Sequence, residues 1–575
     1  MGSQPLKDGY YDLGSYHRPV TTKHPRAQIW FDRGLIWSYG FNHEESIDCF
    51  ERALADDPGC AMAYWGLAYS LGPNYNKPWG FFDEREREAT VERAFRAAAK
   101  AKETAAKASS VEQALIDALQ FRYPQHHPAI DSSKWNTEYA DAMADVYLQF
   151  SDDLDVAVLY ADALMNLTPW ALWDIHTGKP AEGARTLEVK KVLDIALTSE
   201  DGLKHPGLIH LYIHLMEMSN SPESALTVAD HLRGLVPDAG HLQHMPSHLY
   251  ILCGDYRRAI ASNSDAIYAD QRYLNPLGQK GKMRFYTLYR SHNYHFRIYA
   301  AMFSGQSKLA LDTVKELEAS IPEELLRVES PPMADWLEGF LAMRVHVLIR
   351  FGRWHNILDL KLPDDGNLYC VTTAMMHYAK GIALAAFGMV LEAEKEVALF
   401  YDAVKCVPPT RTIFNNTCTD ILGIAEAMLL AELQYRRGNF DKAFAQLQRS
   451  ISFDDSLPYD EPWGWMQPTR HAYGALLLEQ GRVEEAAKVY SADLGLDDTL
   501  PRALQHPNNL WSLHGYHECL IKLDRKVEAR LLEWQLNAAL AVADVPVKAS
   551  CFCRLNTQDD DGHHHFGVNV ISTEN

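Results

Sequence analysis

The chain has 575 residues, 47% of them hydrophobic, and a formal net charge of −21 from 55 basic and 76 acidic residues. No stretch gathers Lys and Arg into a stripe, and an acidic chain repels phosphate, so we expect no nucleic-acid partner. No apolar run approaches the roughly 18 residues that a membrane span needs, and the first residues lack an apolar signal core. The nine cysteines are scattered and odd in number, which predicts no disulfide framework and a cytoplasmic setting.

Residues 27–60 predict the first pair of antiparallel helices. Trp30, Gly34, Phe50, Ala53 and Pro58 recur at fixed positions of a 34-residue unit. The small residues let two helices approach closely, and the proline ends the second helix. The pattern resembles the tetratricopeptide-repeat (TPR) family, and the resemblance implies stacked helical hairpins that wind into a superhelix.

Weaker copies of this unit follow along the chain. Residues 61–72 begin a second unit, residues 84–120 read as a charged, Ala-rich helical stretch, and Ala225, Ala259 and Ala310 occupy one small-residue position of three middle units. We therefore predict an all-α, TPR-like helical-hairpin solenoid over residues 1–545. Its repeats are clearest at about 27–95, 155–325 and 335–542, and residues 546–575 are predicted to be a polar C-terminal tail.

In two consecutive middle repeats, the first helix of the helical pair carries histidines on one face. His210, His214 and Glu217 are spaced i, i+4, i+7, which places them within roughly 60° of one another around a helix. The next first helix, predicted over 240–254, carries His241, His244 and His248 at i, i+3, i+7. His210 and His244 are 34 residues apart, and so are His214 and His248. The repeat itself therefore places histidines at equivalent positions of adjacent units.

Imidazoles on neighbouring helices about 8–10 Å apart can converge on one ion. We predict that the metal ligands are His210, His214, Glu217, His244 and His248, and that Glu217 and His241 act as acid–base groups. The imidazole-rich set suits zinc, which we favour, with non-haem iron or copper as alternatives. If 210/214/217 and 241/244/248 each hold an ion, the site is dinuclear. A ladder of neutral, hydrogen-bonded histidines, or a polar groove that grips a carboxylate, is the alternative without metal.

In TPR proteins the first helices line the concave surface, so the resemblance implies that these side chains lie in the groove. The substrate-binding candidates are His43, Asn74, Asn76, Trp79, His292 and His295. The segment with Tyr459, Glu461, Trp463 and Trp465 is a candidate to close one end of the groove. The run His563–His565 in the tail is a candidate for adventitious metal binding.

The motifs HPGLIHLYIHLME (205–217) and GHLQHMPSH (240–248) resemble a group of bacterial and fungal TPR proteins. That resemblance supports the fold and implies no particular chemistry. We predict a metal-dependent enzyme of hydrolase or lyase type, in which the metal activates water or polarises a carbonyl of a small-molecule substrate. The alternatives are an iron- or copper-dependent oxidoreductase at the same histidines and a non-catalytic TPR scaffold that binds a protein partner. The oligomeric state is left open.

Overall fold

The structure is a computed structural model that describes residues 9–129, 131–278 and 284–555. Helices dominate the described residues, and successive helices pack against each other as antiparallel pairs. The described α-helices, in chain order, are α1 Pro25–Tyr39, α2 His43–Asp56, α3 Ala61–Leu71, α4 Glu84–Thr104, α5 Ser110–Arg122, α6 Ser133–Gln149, α7 Leu154–Met165, α8 Thr186–Leu197, α9 Pro206–Glu217, α10 Leu226–Asp230, α11 Gly240–His244, α12 Pro246–Leu252, α13 Tyr256–Leu274, α14 Thr287–Phe303, α15 Ser307–Ser320, α16 Glu323–Leu326, α17 Met333–Leu337, α18 Met343–Arg350, α19 Trp354–Leu358, α20 Cys370–Ala386, α21 Val390–Val404, α22 Cys418–Arg436, α23 Phe440–Asp455, α24 Thr469–Glu479, α25 Val483–Asp493, α26 Leu510–Lys522 and α27 Lys526–Leu540.

Short elements join the helices. The 3₁₀ helices are Trp79–Phe81, Ala105–Lys107, Gly202–Lys204, Pro222–Ala225, Glu338–Ala342 and Arg502–Leu504. Two antiparallel strand pairs are also present, β1 Trp173–Asp174 with β2 Lys179–Pro180 and β3 Thr412–Ile413 with β4 Asn416–Thr417. The prediction of an all-α, TPR-like helical-hairpin solenoid is therefore confirmed.

The first hairpin shows how small residues set the helix spacing. Phe50 of α2 is fully buried between α1 and α3. A Cβ added to Gly34 would lie 2.8 Å from the Phe50 ring, and one added to Gly66 would lie 2.4 Å from it. Both distances are shorter than a van der Waals contact, so a glycine at each position lets the two helices close on the aromatic ring.

Two middle helices differ from their predictions. The helix predicted over 240–254 is divided into α11 and α12 at Pro246, which has no N–H to continue the hydrogen-bond ladder. The second helix of the unit that contains Ala225 is short, because only Leu226–Asp230 is α-helical there. A 3₁₀ turn precedes it, and the turn that follows contains Gly234 with a φ of 72°.

The described part of the predicted tail packs against the last repeats. Ser550 is buried, its carbonyl accepts a hydrogen bond from the Arg350 guanidinium, and its hydroxyl donates to the carbonyl of His471. Cys551 and Cys553 form a disulfide, while the other seven cysteines are free. His563–His565 lie outside the described residues.

The large apolar cores meet at the helices that carry the predicted site. The core formed by the N-terminal helices includes Leu242 of α11, Met245 between α11 and α12, and Leu249 of α12. Ile251 at the end of α12 and Phe296 of α14 belong to the next core along the chain. The histidines of these helices therefore lie between two apolar masses. Every helix in the described ranges is too short or too polar to cross a bilayer.

Candidate metal centre

Six histidines from three consecutive first helices form two adjacent trios. Within each trio, the candidate ligand atoms lie within 4.8 Å of one another. The first trio is His210, His214 and His241, and the second trio is His244, His248 and His292. The trios touch, since the ring centroids of His214 and His248 are 5.5 Å apart and those of His241 and His244 are 5.7 Å apart.

This grouping differs from the one that the helix faces suggested. His241 lies with His210 and His214 of the preceding repeat, and His292 on α14 joins His244 and His248. A third cluster combines His214, Glu217 and His248 across the boundary between the trios. It is the two-histidine, one-carboxylate set that suits non-haem iron.

In the first trio, hydrogen bonds fix the orientation of two rings. His210 donates from Nδ1 to the carbonyl oxygen of Tyr39 at 2.5 Å, and His214 Nδ1 lies 2.9 Å from Glu217 Oε1. The opposite atoms, Nε2 of His210 and Nε2 of His214, are buried without a hydrogen-bond partner, and neither ring nitrogen of His241 has one. A neutral imidazole that donates through Nδ1 carries its lone pair on Nε2, so this trio presents unused lone pairs to its centre.

The second trio is arranged in the same way. Asn263 donates from Nδ2 to the carbonyl of Ala259 at 2.8 Å, which leaves its Oδ1 to accept from His244 Nδ1 at 2.7 Å. His248 Nδ1 lies 2.6 Å from Glu217 Oε2 and 3.3 Å from Glu461 Oε2. With Glu217 ionised, both rings donate through Nδ1. Their Nε2 atoms nevertheless lie only 2.7 Å apart, and Nε2 of His292 is 3.4 Å from that of His248.

Two lone pairs at this separation in a dry interior repel each other unless a cation or a proton lies between them. Burial lowers the pKa of every histidine in the two trios, to about 4 for His210 and about 3 for His244. The protonated form is therefore disfavoured near neutral pH. For a tetrahedral ion with metal–nitrogen distances of about 2.0–2.1 Å, the donor atoms would lie about 3.3 Å apart, close to the 3.4 Å between the Nε2 atoms of His248 and His292.

Glu217 bridges the trios through its two carboxyl oxygens, one toward His214 and the other toward His248. Burial raises the pKa of Glu217 well above its ordinary value, and the neighbouring charge of Glu461 raises it further. Burial also raises the pKa of Glu461 to about 8. A bound cation would stabilise this pair of carboxyl groups, because positive charge beside them favours their ionised form.

Aromatic rings seal the centre from water. Phe41 lies 4.4 Å from His210 and stacks on His214 and His241 at 5.8 and 5.7 Å between ring centroids. Phe414, at the tip of the β3–β4 hairpin, lies 4.7 Å from His292. Phe41 has a φ of 54° and Phe414 a φ of 47°, a left-handed backbone that is rare outside glycine and concentrates at functional sites.

The side chains of the centre are buried rather than spread along an open groove. His214, Glu217 and His244 have 0% exposed surface, and His292, the most exposed of the group, has 5%. Tertiary packing buries these side chains, because three segments fold over the histidine-bearing helices: residues 459–466, the β3–β4 hairpin and the loop at Phe41. The sequence predicted that these side chains lie in an open groove, whereas the structure places them in an enclosed centre.

A small cavity of about 40 Å³ adjoins the centre. His292 of the second trio forms part of its wall, together with Tyr289 and Trp170. Tyr289 and Trp170 also contact the first trio, at 4.9 Å from His241 and 6.0 Å from His214 between ring centroids. The cavity therefore lies against both trios.

The predicted substrate-binding residues fall into different places. Asn76 and His292 line the cavity. Asn74 Oδ1 accepts from the backbone N–H groups of Asn76 and Lys77, each at 2.9 Å, and so closes its own loop. Trp79 packs 5.2 Å from Phe82 and is not among the residues that line this cavity.

His43 and His295 lie near the trios without joining either. His43 is 6.4 Å from Phe41 and 6.5 Å from Tyr69 between ring centroids. His295 is buried against Phe340 and Phe414, and neither of its ring nitrogens has a hydrogen-bond partner.

Sequence reasoning overlooked several residues of the centre. Asn263 orients His244, and the carbonyl of Tyr39 orients His210. Phe41 and Phe414 cover the trios. None of these four residues lies in a sequence pattern that is typical of metal ligands, although Phe41 is close in sequence to His43, a substrate-binding candidate. Glu461 appeared only as a candidate for closing the groove, and its contact with His248 spans more than 200 residues of chain.

Comparisons with known proteins add little. No family model and no curated protein sequence matches the chain. Among solved structures, yeast Tom70 aligns at a TM-score of 0.30 and 11% identity over 89% of this chain and 99% of its own. The human IFIT1 dimer with m7Gppp-AAAA aligns at a TM-score of 0.32 and 11% identity over 89% of this chain and 94% of its own. Such TM-scores support no conclusion about function, and the TPR-like fold rests on the paired helices themselves.

Proposed function

We propose that this chain is a metal-dependent enzyme with a buried two-metal centre, in which each histidine trio holds one ion. One observation carries the proposal: the Nδ1 atoms of His244 and His248 lie against Asn263 and Glu217, and the Nε2 atoms of the two rings face each other at 2.7 Å. A bound cation between such lone pairs removes the repulsion and replaces the lost hydration of the imidazoles.

The hydrogen bonds around the trios support the same assignment. Metal-ligating histidines usually donate their other ring N–H to a carboxylate or a backbone carbonyl, which fixes the ring and raises the basicity of the ligand. His210, His214 and His248 do this with Tyr39 and Glu217. We therefore assign His241 to the ligands rather than to acid–base catalysis, and Glu217 to orienting His214 and His248.

We favour copper and an oxidoreductase reaction. Six neutral imidazoles without a carboxylate among the six ligands suit copper, which also binds nitrogen ligands most tightly among the divalent first-row metals. Two copper ions would supply one-electron steps, so that two electrons taken from a small organic substrate pass to dioxygen. The enclosed, aromatic surroundings of the trios suit this role because they keep bulk water away from the centre.

A zinc enzyme of hydrolase or lyase type is the second candidate. Each trio offers three imidazoles and leaves a fourth position open, which is also the ligand set of catalytic zinc that activates water. The nearby carboxyl groups of Glu217 and Glu461 could then accept a proton. A TPR scaffold that grips a partner at this site has weaker support, since the histidines are buried and a peptide clamp needs exposed donors.

Elemental analysis of the full-length protein tests the proposal, using a variant in which His563, His564 and His565 are changed to Ala to remove adventitious binding. We expect two transition-metal ions per chain, with copper dominant. Protein loaded with reduced copper should consume one dioxygen for each pair of ions, whereas zinc-loaded protein should consume none. A chain that holds no tightly bound metal would refute the metal centre, and a chain that holds zinc alone would favour the second candidate.

A further inference from the structure

The cavity beside the trios opens to solvent. Of its eleven lining residues, only Tyr289 and His292 are buried, and the other nine are partly exposed. Tyr289 and His292 therefore form its inner end, and they share one face of α14 because they are three residues apart. His292 is also a member of the second trio. A molecule that enters from solvent thus meets a candidate metal ligand at the inner end, while the rest of the molecule extends outward.

Aromatic rings form most of the wall. Phe285 and Trp336 meet edge to face at 5.5 Å between ring centroids, and Phe81 meets Trp336 in the same way at 6.3 Å. Trp170 and Phe414 add two further rings. Both have a left-handed backbone, with φ of 60° and 47°, which is costly for a bulky residue and concentrates at ligand sites. The wall therefore suits a flat aromatic molecule, because aromatic rings pack well in offset or edge-to-face contacts.

The wall offers no charge to a ligand. The described residues that line the cavity include no Asp, Glu, Lys or Arg. The nearby ammonium of Lys77, 4.2 Å from the centroid of the Phe285 ring, is already paired with Glu86. A charged ligand would lose part of its hydration here without an opposite charge to pair with. The lining therefore favours an uncharged ligand.

Three buried polar atoms of the lining have no hydrogen-bond partner. They are Asn76 Oδ1, His292 Nδ1 and the hydroxyl oxygen of Tyr289. An amide oxygen only accepts a hydrogen bond, whereas an imidazole that binds a metal through Nε2 carries a proton on Nδ1 and donates it. The partner of these atoms is therefore a group that both donates and accepts, and a hydroxyl is the smallest uncharged group that does so. A ligand that supplies it relieves the cost of leaving buried polar atoms unpaired.

We propose that this cavity is the substrate site of the metal centre and binds an uncharged aromatic molecule that carries a hydroxyl group. The ring of the ligand packs against the aromatic wall, and its hydroxyl lies among Asn76, Tyr289 and His292. The role as a substrate site rests on the metal-dependent enzyme proposed above, whereas binding itself needs no metal. The hydroxyl end is placed beside the second trio, since His292 belongs both to the cavity wall and to that trio.

Calorimetric titration of the full-length protein with phenol, toluene and benzoate, in the absence of dioxygen, tests the site. Toluene lacks the hydroxyl, and benzoate is charged at neutral pH. We expect phenol to bind about fivefold or more tightly than either of the other two, since a hydrogen bond between uncharged groups is worth a factor of this order.

Two variants locate the hydroxyl of the probe. Tyr289→Phe should weaken phenol binding about fivefold and leave toluene binding unchanged, because it removes only a hydroxyl. Asn76→Leu should act in the same direction. Tyr294→Phe is the matched control, at a buried tyrosine of the same helix that does not line the cavity, and should keep the affinities of all three probes.

Metal content, measured in parallel, separates this proposal from the proposed function. Selective phenol binding by a protein that holds no metal would support the binding site and refute the metal centre. Two bound ions with equal affinities for phenol and toluene, or with a phenol affinity that neither Tyr289→Phe nor Asn76→Leu changes, would overturn the site and leave the metal centre standing. Tighter binding of benzoate than of phenol would also overturn it, because the ligand would then be charged.

Discussion

The Nε2 atoms of His244 and His248 lie 2.7 Å apart, while the Nδ1 atoms of the same rings lie against Asn263 and Glu217. With Glu217 ionised, Asn263 and Glu217 accept the two Nδ1 protons, so the Nε2 lone pairs of the two rings face each other. Such an arrangement is unfavourable in an empty, dry site and favourable around a cation.

Two neighbouring histidines of α14 should respond differently to the same substitution. His292→Ala removes a member of the second trio, so the variant should retain about one ion per chain. His295→Ala is the matched control, because His295 is also buried on the same helix but lies outside both trios. Elemental analysis of folded protein measures both. Equal metal contents in the two variants would argue against the grouping into trios.

Glu217→Gln should weaken metal binding without removing a trio member. An amide has one acceptor oxygen and one donor nitrogen, so it cannot accept from both His214 and His248. Loss of such an orienting carboxylate typically costs about 10–100-fold in metal affinity. Competition with a chelator measures the change. Glu338→Gln, at a glutamate that is also buried but contacts Thr372 rather than a histidine, should leave the affinity unaltered.

The metal-free protein should lose stability as the pH falls below about 6.5. Burial lowers the folded-state pKa of His43, His295 and His346 to about 3 and that of His471 to about 4, from 6.5. Between these values the unfolded chain binds more protons, so this stability is present above 6.5 and is lost on acidification. Each histidine contributes at most about 1.4 kcal/mol per pH unit.

Chemical denaturation at several pH values between 7.5 and 5 measures this slope. His346→Gln should make it shallower, because one buried neutral imidazole is removed. The exposed residue His24 provides the control, and His24→Gln should behave as the wild type does. A slope that His346→Gln leaves unchanged would contradict the prediction.

Gly66→Ala should destabilise the first repeat by about 1–3 kcal/mol, the usual cost of overpacking a filled core. The new Cβ would lie 2.4 Å from the Phe50 ring, which is buried against Gly34 on its other side and cannot withdraw. Gly80→Ala is the control, since no atom lies within 4 Å of the Cβ position there. The free energy of unfolding measures both. Equal values would show that glycine does not set this helix spacing.

The sequence by itself determined the fold and the origin of the site. The 34-residue period places His210 with His244 and His214 with His248, because equivalent positions of stacked repeats face the same way. Helical spacing also put His214 and Glu217 on one face, where they contact each other. These are local relations, which depend on residues within one or two repeats.

Only the tertiary structure decided which histidines lie together and that they are buried. The division of the predicted 240–254 helix at Pro246 and the packing of α14 place His241 with the preceding repeat and bring His292 to the second trio. Phe41, Phe414 and Glu461 arrive from distant parts of the chain to cover the site. A repeat pattern specifies contacts between neighbouring units, whereas contacts between distant units depend on the summed geometry of all the units and of the loops between them.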